Sequence, residues 1–139
     1  MQDLNRLREE HESLAIIVGR LSAMIAQDSP PPSRELYVLR MELTSALIHH
    51  LRSEDWMLYP RLLVSCDRRL ADIAREFSKE MGGLSKAFRD YVEQWGAYAI
   101  KGGWKRYQRE TAEILNSLTV RMDREERDLY PLLELKKAA

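Results

Sequence analysis

The chain has 139 residues, 45% of them hydrophobic, and its 22 Lys and Arg balance 22 Asp and Glu. This length supports a single domain, residues 1–139, with a proper core, and a formal net charge of zero removes the basic field that non-specific nucleic-acid binding requires. No apolar run approaches the ~18 residues of a membrane span, and the one cysteine, Cys66, excludes an intrachain disulfide framework or zinc–thiolate cluster.

The start, MQDLNRLREEHE, is charged and lacks the apolar core of a secretory leader; a reduced, cytoplasmic setting is expected. From about residue 3 to 27, Leu4, Leu7, His11, Leu14, Val18 and Leu21 recur at spacings of three and four, a helical stripe. Pro30 to Pro32 stop it, and Ser33 is placed to cap the next helix. That helix carries Leu36, Leu39, Leu43, Leu47, His50 and Glu54, with Pro60 expected to kink or end it. A third stripe holds Ile73, Phe77, Met81, Leu84, Phe88, Tyr91 and Trp95 before Gly102-Gly103 interrupts it. The fourth runs through Tyr107, Thr111, Ile114, Leu118, Arg121 and Glu125 to Pro131. With no period-2 alternation long enough for a strand, the expectation is an all-α, up-down-up-down four-helix bundle.

Part of the chain occurs twice. Leu47 to Leu62 reads LIHHLRSEDWMLYPRL and Leu118 to Leu133 reads LTVRMDREERDLYPLL, sharing Glu54/Glu125, Leu58/Leu129, Tyr59/Tyr130 and Pro60/Pro131 among others. A weaker match pairs Glu10-His11 with Glu80-Met81, so whole helix pairs are expected to be related by a pseudo-twofold internal repeat. His50 then corresponds to Arg121, and His11 to Met81. Residues at i and i+4 share a helical face, so His50 and Glu54 can offer a nitrogen and an oxygen to one ion, and Arg121 and Glu125 repeat the geometry. Two inward glutamates demand a counter-cation, because burying an unpaired charge costs several kcal/mol. In bundle cores carboxylate-bridged iron or manganese commonly supplies it.

EHxxL in the first helix followed by HxxxExxxLYP in the second resembles the hemerythrin-like (HHE) cation-binding domains over nearly the whole chain. The resemblance implies a four-helix bundle with a non-heme di-iron centre, used for oxygen binding, oxygen or iron sensing, and redox or nitrosative-stress roles. By position, His11, His50 and Glu54 match family ligands, and Glu125 matches the carboxylate of the second HxxxE. Met81 and Arg121 stand where the family has histidines. Arginine is no ligand, and its permanent charge repels a neighbouring ion. Its planar fork can instead bridge Glu54 and Glu125. Met81 fills the other vacancy, and a thioether suits hard iron poorly.

Two occupants therefore stay open: one iron, zinc or manganese ion on His11, His50, Glu54 and Glu125, or no metal, with Arg121 as the only cation. The first makes the chain a metal-, oxygen- or redox-related sensory or binding module. The second makes it a metal-independent interaction module in signalling, acting through a protein partner or a second copy. No nucleophile set, phosphate loop or substrate cleft is visible, so catalysis is not expected. A lone buried histidine is more often a hydrogen-bonded core residue than a ligand. His49, about 100° round the helix from His50, reads as near the surface. Glu12, Asp55 and Glu126 are either carboxylates standing behind the ligands or outer-face residues, and a solvated face is the default. Tyr59 and Tyr130 are expected at the bundle end, their hydroxyls reaching solvent or a backbone carbonyl. Trp95 and Trp104 either mark a partner surface or cap the core.

Overall fold

A computed structural model describes residues 2–138, and among these every regular element is helical. Helix α1 spans Gln2–Ile25 and α2 spans Ser33–Arg52. α2 passes through a π-helical turn, Ser53–Leu58, into the short α3, Tyr59–Leu63. The third stripe is broken into α4, Arg68–Met81, and α5, Leu84–Gln94. A short α6, Ala97–Gly102, leads into α7, Trp104–Arg124, which continues through a second π turn, Glu125–Leu129, into α8, Tyr130–Ala138. α1 lies against α2 and α7, and α5 packs on α7. This is the expected all-α bundle.

The stripes bury as their spacing requires. Leu4, Leu7, His11, Leu14 and Leu21 of α1 and Leu36, Leu39, Leu43, Leu47 and His50 of α2 are all buried. Ser33 does not cap α2: Pro32 occupies the cap, with no side-chain hydrogen bond to the first turn. Asp67 does cap α4, its Oδ1 accepting from the backbone N–H groups of Arg69 at 3.0 Å and Leu70 at 3.3 Å. Where α4 ends, glycine is required at position 82, since a Cβ there would collide with the Ser78 carbonyl oxygen.

Neither Pro60 nor Pro131 ends its helix. Each follows a π turn closed by the preceding tyrosine, whose N–H donates five residues back to the carbonyl of Glu54 or Glu125. Proline removes a donor and crowds the carbonyl four residues earlier, and a locally widened turn accommodates both effects without breaking the rod.

Two apolar clusters fill the interior. One, around Leu14, Leu43, Leu47, Phe88, Tyr107 and Leu118, occupies the longer part of the bundle. The other, around Leu7, Leu58, Leu62, Phe77, Leu129 and Leu133, fills the end near α3 and α8. Trp95 and Trp104 are buried against Tyr107 and cap the first cluster, with Trp104 Nε1 donating to the Gln27 carbonyl at 3.0 Å. Trp56 is exposed and lies under the Arg52 guanidinium.

Candidate metal centre

Between the two apolar clusters lies a charged layer. His11, His50, Glu54, Arg121 and Glu125 are all buried, the two glutamates with 0% exposure and Arg121 with 2%. α1 supplies His11, and α2 with its π turn supplies His50 and Glu54. α7 with its π turn supplies Arg121 and Glu125. One ligand atom each from His11, His50, Glu54 and Glu125 lies within 4.8 Å of the other three. First-row ions bind such donors at ~2.0–2.2 Å, so opposite ligands stand ~4 Å apart and small side-chain adjustments close the set.

The outer nitrogens are committed. His50 Nδ1 lies 2.7 Å from Glu10 Oε1, and His11 Nδ1 lies 2.8 Å from Glu126 Oε2. An ionised carboxylate only accepts, so each Nδ1 carries a proton, and in the neutral tautomer this selects, Nε2 turns its lone pair inward. There the lone pairs meet oxygen: His50 Nε2 is 3.2 Å from Glu54 Oε1, and His11 Nε2 is 3.2 Å from Glu125 Oε1. His50 Nε2 and Glu125 Oε1 are buried without a hydrogen-bond partner among the described residues. Something positive belongs between such atoms, either a proton or a metal ion. The orphaned pair and the N₂O₂ donor set fit one ion.

They do not fit two. Arg121 already holds both carboxylates, and on Glu54 it shares the oxygen that faces His50. Its Nη2 donates to Glu54 Oε1 at 3.1 Å and to Asp55 Oδ1 at 2.6 Å. Nε donates to Glu125 Oε2 at 3.3 Å, and Nη1 to the Met81 carbonyl at 3.3 Å. The guanidinium also stands over the Tyr59 ring, 5.5 Å from its centre. The Met81 side chain packs on the apolar cluster at the α3 and α8 end.

The tyrosines and two acids depart from expectation. Tyr59 Oη donates to Glu125 Oε2 at 2.7 Å and Tyr130 Oη to Glu54 Oε2 at 2.6 Å, so neither hydroxyl reaches solvent or a backbone carbonyl. The exchange is reciprocal between the two repeats, as a pseudo-twofold arrangement requires. Asp55 and Glu126 are drawn from the solvated face onto Arg121 and His11, because each lies within a π turn where α-helical angular spacing no longer holds. Glu12 is exposed as expected. His49 is largely exposed and off the four-ligand set, but touches the same Glu10 at 3.2 Å.

The electrostatics separate the two acids. Burial pushes the Glu54 carboxyl up, but its close contact with His50 and the charge there, with Arg121, outweigh it and bring it down to about 2. Burial raises Glu125 well above the usual carboxylate range, and the adjacent Glu54 charge adds to that. Burial acts to lower His50, but its contacts with Glu54 override this and raise it. Burial and the nearby carboxylates raise both tyrosines, which keeps their hydroxyls protonated as donors. Burial acts against the Arg121 charge, yet Glu125, Glu54 and Asp55 raise it.

These shifts give opposite pH responses with and without metal. Glu54, lowered, contributes stability that is complete above 4.5 and is lost as pH falls toward about 2. Glu125 and His50, both raised, contribute stability that is complete below 4.5 and 6.5 respectively and is lost as pH rises through their folded values. Metal-free protein should therefore melt at lower temperature at about pH 8 than at about pH 6.5. Metal affinity should rise over the same interval, because the ion displaces those protons. Circular dichroism melts with chelator or with Mn²⁺ check both signs.

The outer acids give a separate expectation. Glu126→Gln exchanges an acceptor-only carboxylate for an amide that can present its NH₂ to His11 and release the tautomer. Metal affinity should fall about 10- to 100-fold, read by titration against a chromophoric chelator.

Comparison with curated proteins and with solved structures yields no significant match. The family model described as hemerythrin HHE cation binding domain matches residues 2–133, and with that span, the helical bundle and the buried His/Glu cluster, the chain belongs to the hemerythrin HHE cation-binding domain family.

Proposed function

We propose that this hemerythrin-like domain holds a single non-heme metal ion on His11, His50, Glu54 and Glu125 and acts as a metal-, oxygen- or redox-related sensory or binding module. It is neither an oxygen carrier nor an enzyme in this reading. The observation that carries it is the orphaned pair His50 Nε2 and Glu125 Oε1 inside a four-donor cluster whose outer nitrogens are already held by Glu10 and Glu126. When bound, iron or manganese would supply a redox-active centre, and zinc a Lewis-acidic one. The chain's residues would do the rest. The π turns aim the carboxylates, Glu10 and Glu126 fix the imidazoles, and flanking leucines exclude water. Because the ligands come from α1, α2 and the end of α7, occupancy would couple three helices, and a protein partner or a second copy would read their packing. Metal analysis of protein purified with and without added Fe(II) tests the proposal. About one ion per chain is expected with iron, and substoichiometric metal under both conditions would remove the sensory reading.

A second reading has its own support. Arg121 contacts three carboxylates at once, Glu54, Asp55 and Glu125, so the layer has an internal cation. A metal-independent helical-bundle module acting by protein interaction would use the same core purely as structure. Melting temperatures that do not respond to chelator or metal would favour it.

A further inference from the structure

The two π turns are built alike on the inside and differently on the outside. Both run into Leu-Tyr-Pro, and both bury their glutamate. In the second repeat the outer positions are charged and paired. Arg127 and Asp128 meet each other at 3.2 Å, and Glu134 in α8 meets Arg8. The matching positions of the first repeat are Trp56, Met57 and Leu63, all exposed, Trp56 to 72%. The turn therefore does not require large apolar residues there, and an exposed apolar strip on a soluble face marks a site of association. Arginines flank the strip. Arg52 lies over the Trp56 ring, 5.2 Å from its centre, and Arg61 is exposed one turn beyond Met57. Of the two acids in this stretch, Glu54 is buried and Asp55 is turned in onto Arg121 at 2.6 Å. Among the described residues neither Arg52 nor Arg61 is ion-paired, so the outer face is apolar and cationic in a chain of zero formal net charge.

We propose that Arg52, Trp56, Met57 and Arg61 form a docking surface for an acidic segment of a protein partner. An apolar side chain of that segment packs on Trp56 and Met57, and carboxylates on either side of it pair with Arg52 and Arg61. Charge complementarity selects this occupant. A carboxylate is what each guanidinium lacks here, and Trp and Arg are the residues that most often dominate the energy of an interface. A bilayer fits less well, because anionic lipid is held by clusters of about four to eight cations and this strip offers Arg52 and Arg61 alone. A second copy in a twofold contact would set these arginines against their own counterparts. The surface does not depend on an ion in the core, although Glu54 and Asp55 share its turn.

Selection of random peptides displayed on phage against the purified protein tests it. Enriched peptides should carry an aromatic or aliphatic residue between Asp or Glu residues, and their binding should weaken as salt is raised. Trp56→Ala should weaken the tightest synthetic peptide by about 30-fold or more, and Arg52→Glu and Arg61→Glu by about tenfold each. W56R/M57D installs the residues of the second π turn, which the fold already accepts, and should abolish binding without changing the melting temperature. Should that variant melt early, Trp56→Ala decides. Enrichment of peptides without acids, enrichment of none, or binding that survives loss of Trp56 overturns the inference. A dimer in sedimentation equilibrium that Trp56→Ala dissociates would assign the face to a second copy. Capture by phosphatidylserine vesicles that needs Trp56 would assign it to a bilayer. Either result overturns the inference as well.

Discussion

Arg121→Met should lower the unfolding free energy of the metal-free protein by about 3–5 kcal/mol, the cost typical of removing one partner from a buried ion pair. Few substitutions in a domain of this size would do more, because total stability is about 5–15 kcal/mol. Methionine keeps much of the buried stem, so the loss is mainly one of charge and of four hydrogen bonds, to Glu54, Asp55, Glu125 and the Met81 carbonyl. Glu54 bears most of it, since the wild-type environment holds Glu54 ionised while Glu125 is pushed toward its protonated form. The deficit should shrink in acid as Glu54 takes up a proton, and a divalent ion should restore much of it by binding the folded state. Urea unfolding with chelator and with Mn²⁺ measures both effects. A variant as stable as wild type in chelator would mean that the guanidinium is not the counter-charge of the layer.

His50→Ala should weaken divalent-metal binding by more than ~100-fold, beyond the range expected for loss of an outer-layer contact. His50 is 1% exposed and brings one of the two nitrogens of the set. Its loss also frees Glu10, which among the described residues then keeps its contacts to the exposed His49 and to Arg6. Competitive titration with Zn²⁺ or Mn²⁺ gives the ratio directly. Unchanged affinity would place the ion outside the four-ligand cluster, for example on the Glu10–His49 pair at the surface.

Much of this arrangement was legible in the sequence, for a simple physical reason. Leucines at spacings of three and four mark the buried face of each helix, and His11, His50, Glu54, Arg121 and Glu125 interrupt those stripes in phase. An ionisable residue in phase with leucines must be buried, and all five are. The bridging of Glu54 and Glu125 by Arg121 likewise followed from charge balance and appears in the contacts. What was not legible depends on the π turns. No composition marks the extra residue per turn, and the prolines that accompany it read as helix ends. Charged residues default to a solvated face, which is where Asp55 and Glu126 read by default, and a tyrosine before proline reads as the bundle end. The wider turns bring all four into the charged layer instead. The repeated LYP was the one available signal, since a tyrosine five residues after a glutamate in both halves suits the crosswise hydrogen bonds. Glu10 escaped notice because the residue before a core histidine has no fixed direction until α2 is docked beside α1.

Anomalous diffraction from crystals grown with Mn²⁺ or Fe²⁺ tests the central claim most directly. One anomalous peak should lie among His11 Nε2, His50 Nε2, Glu54 Oε1 and Glu125 Oε1, with Arg121 still contacting both carboxylates. Two peaks in the core, or a core without one in crystals whose protein has taken up the ion elsewhere, would contradict it.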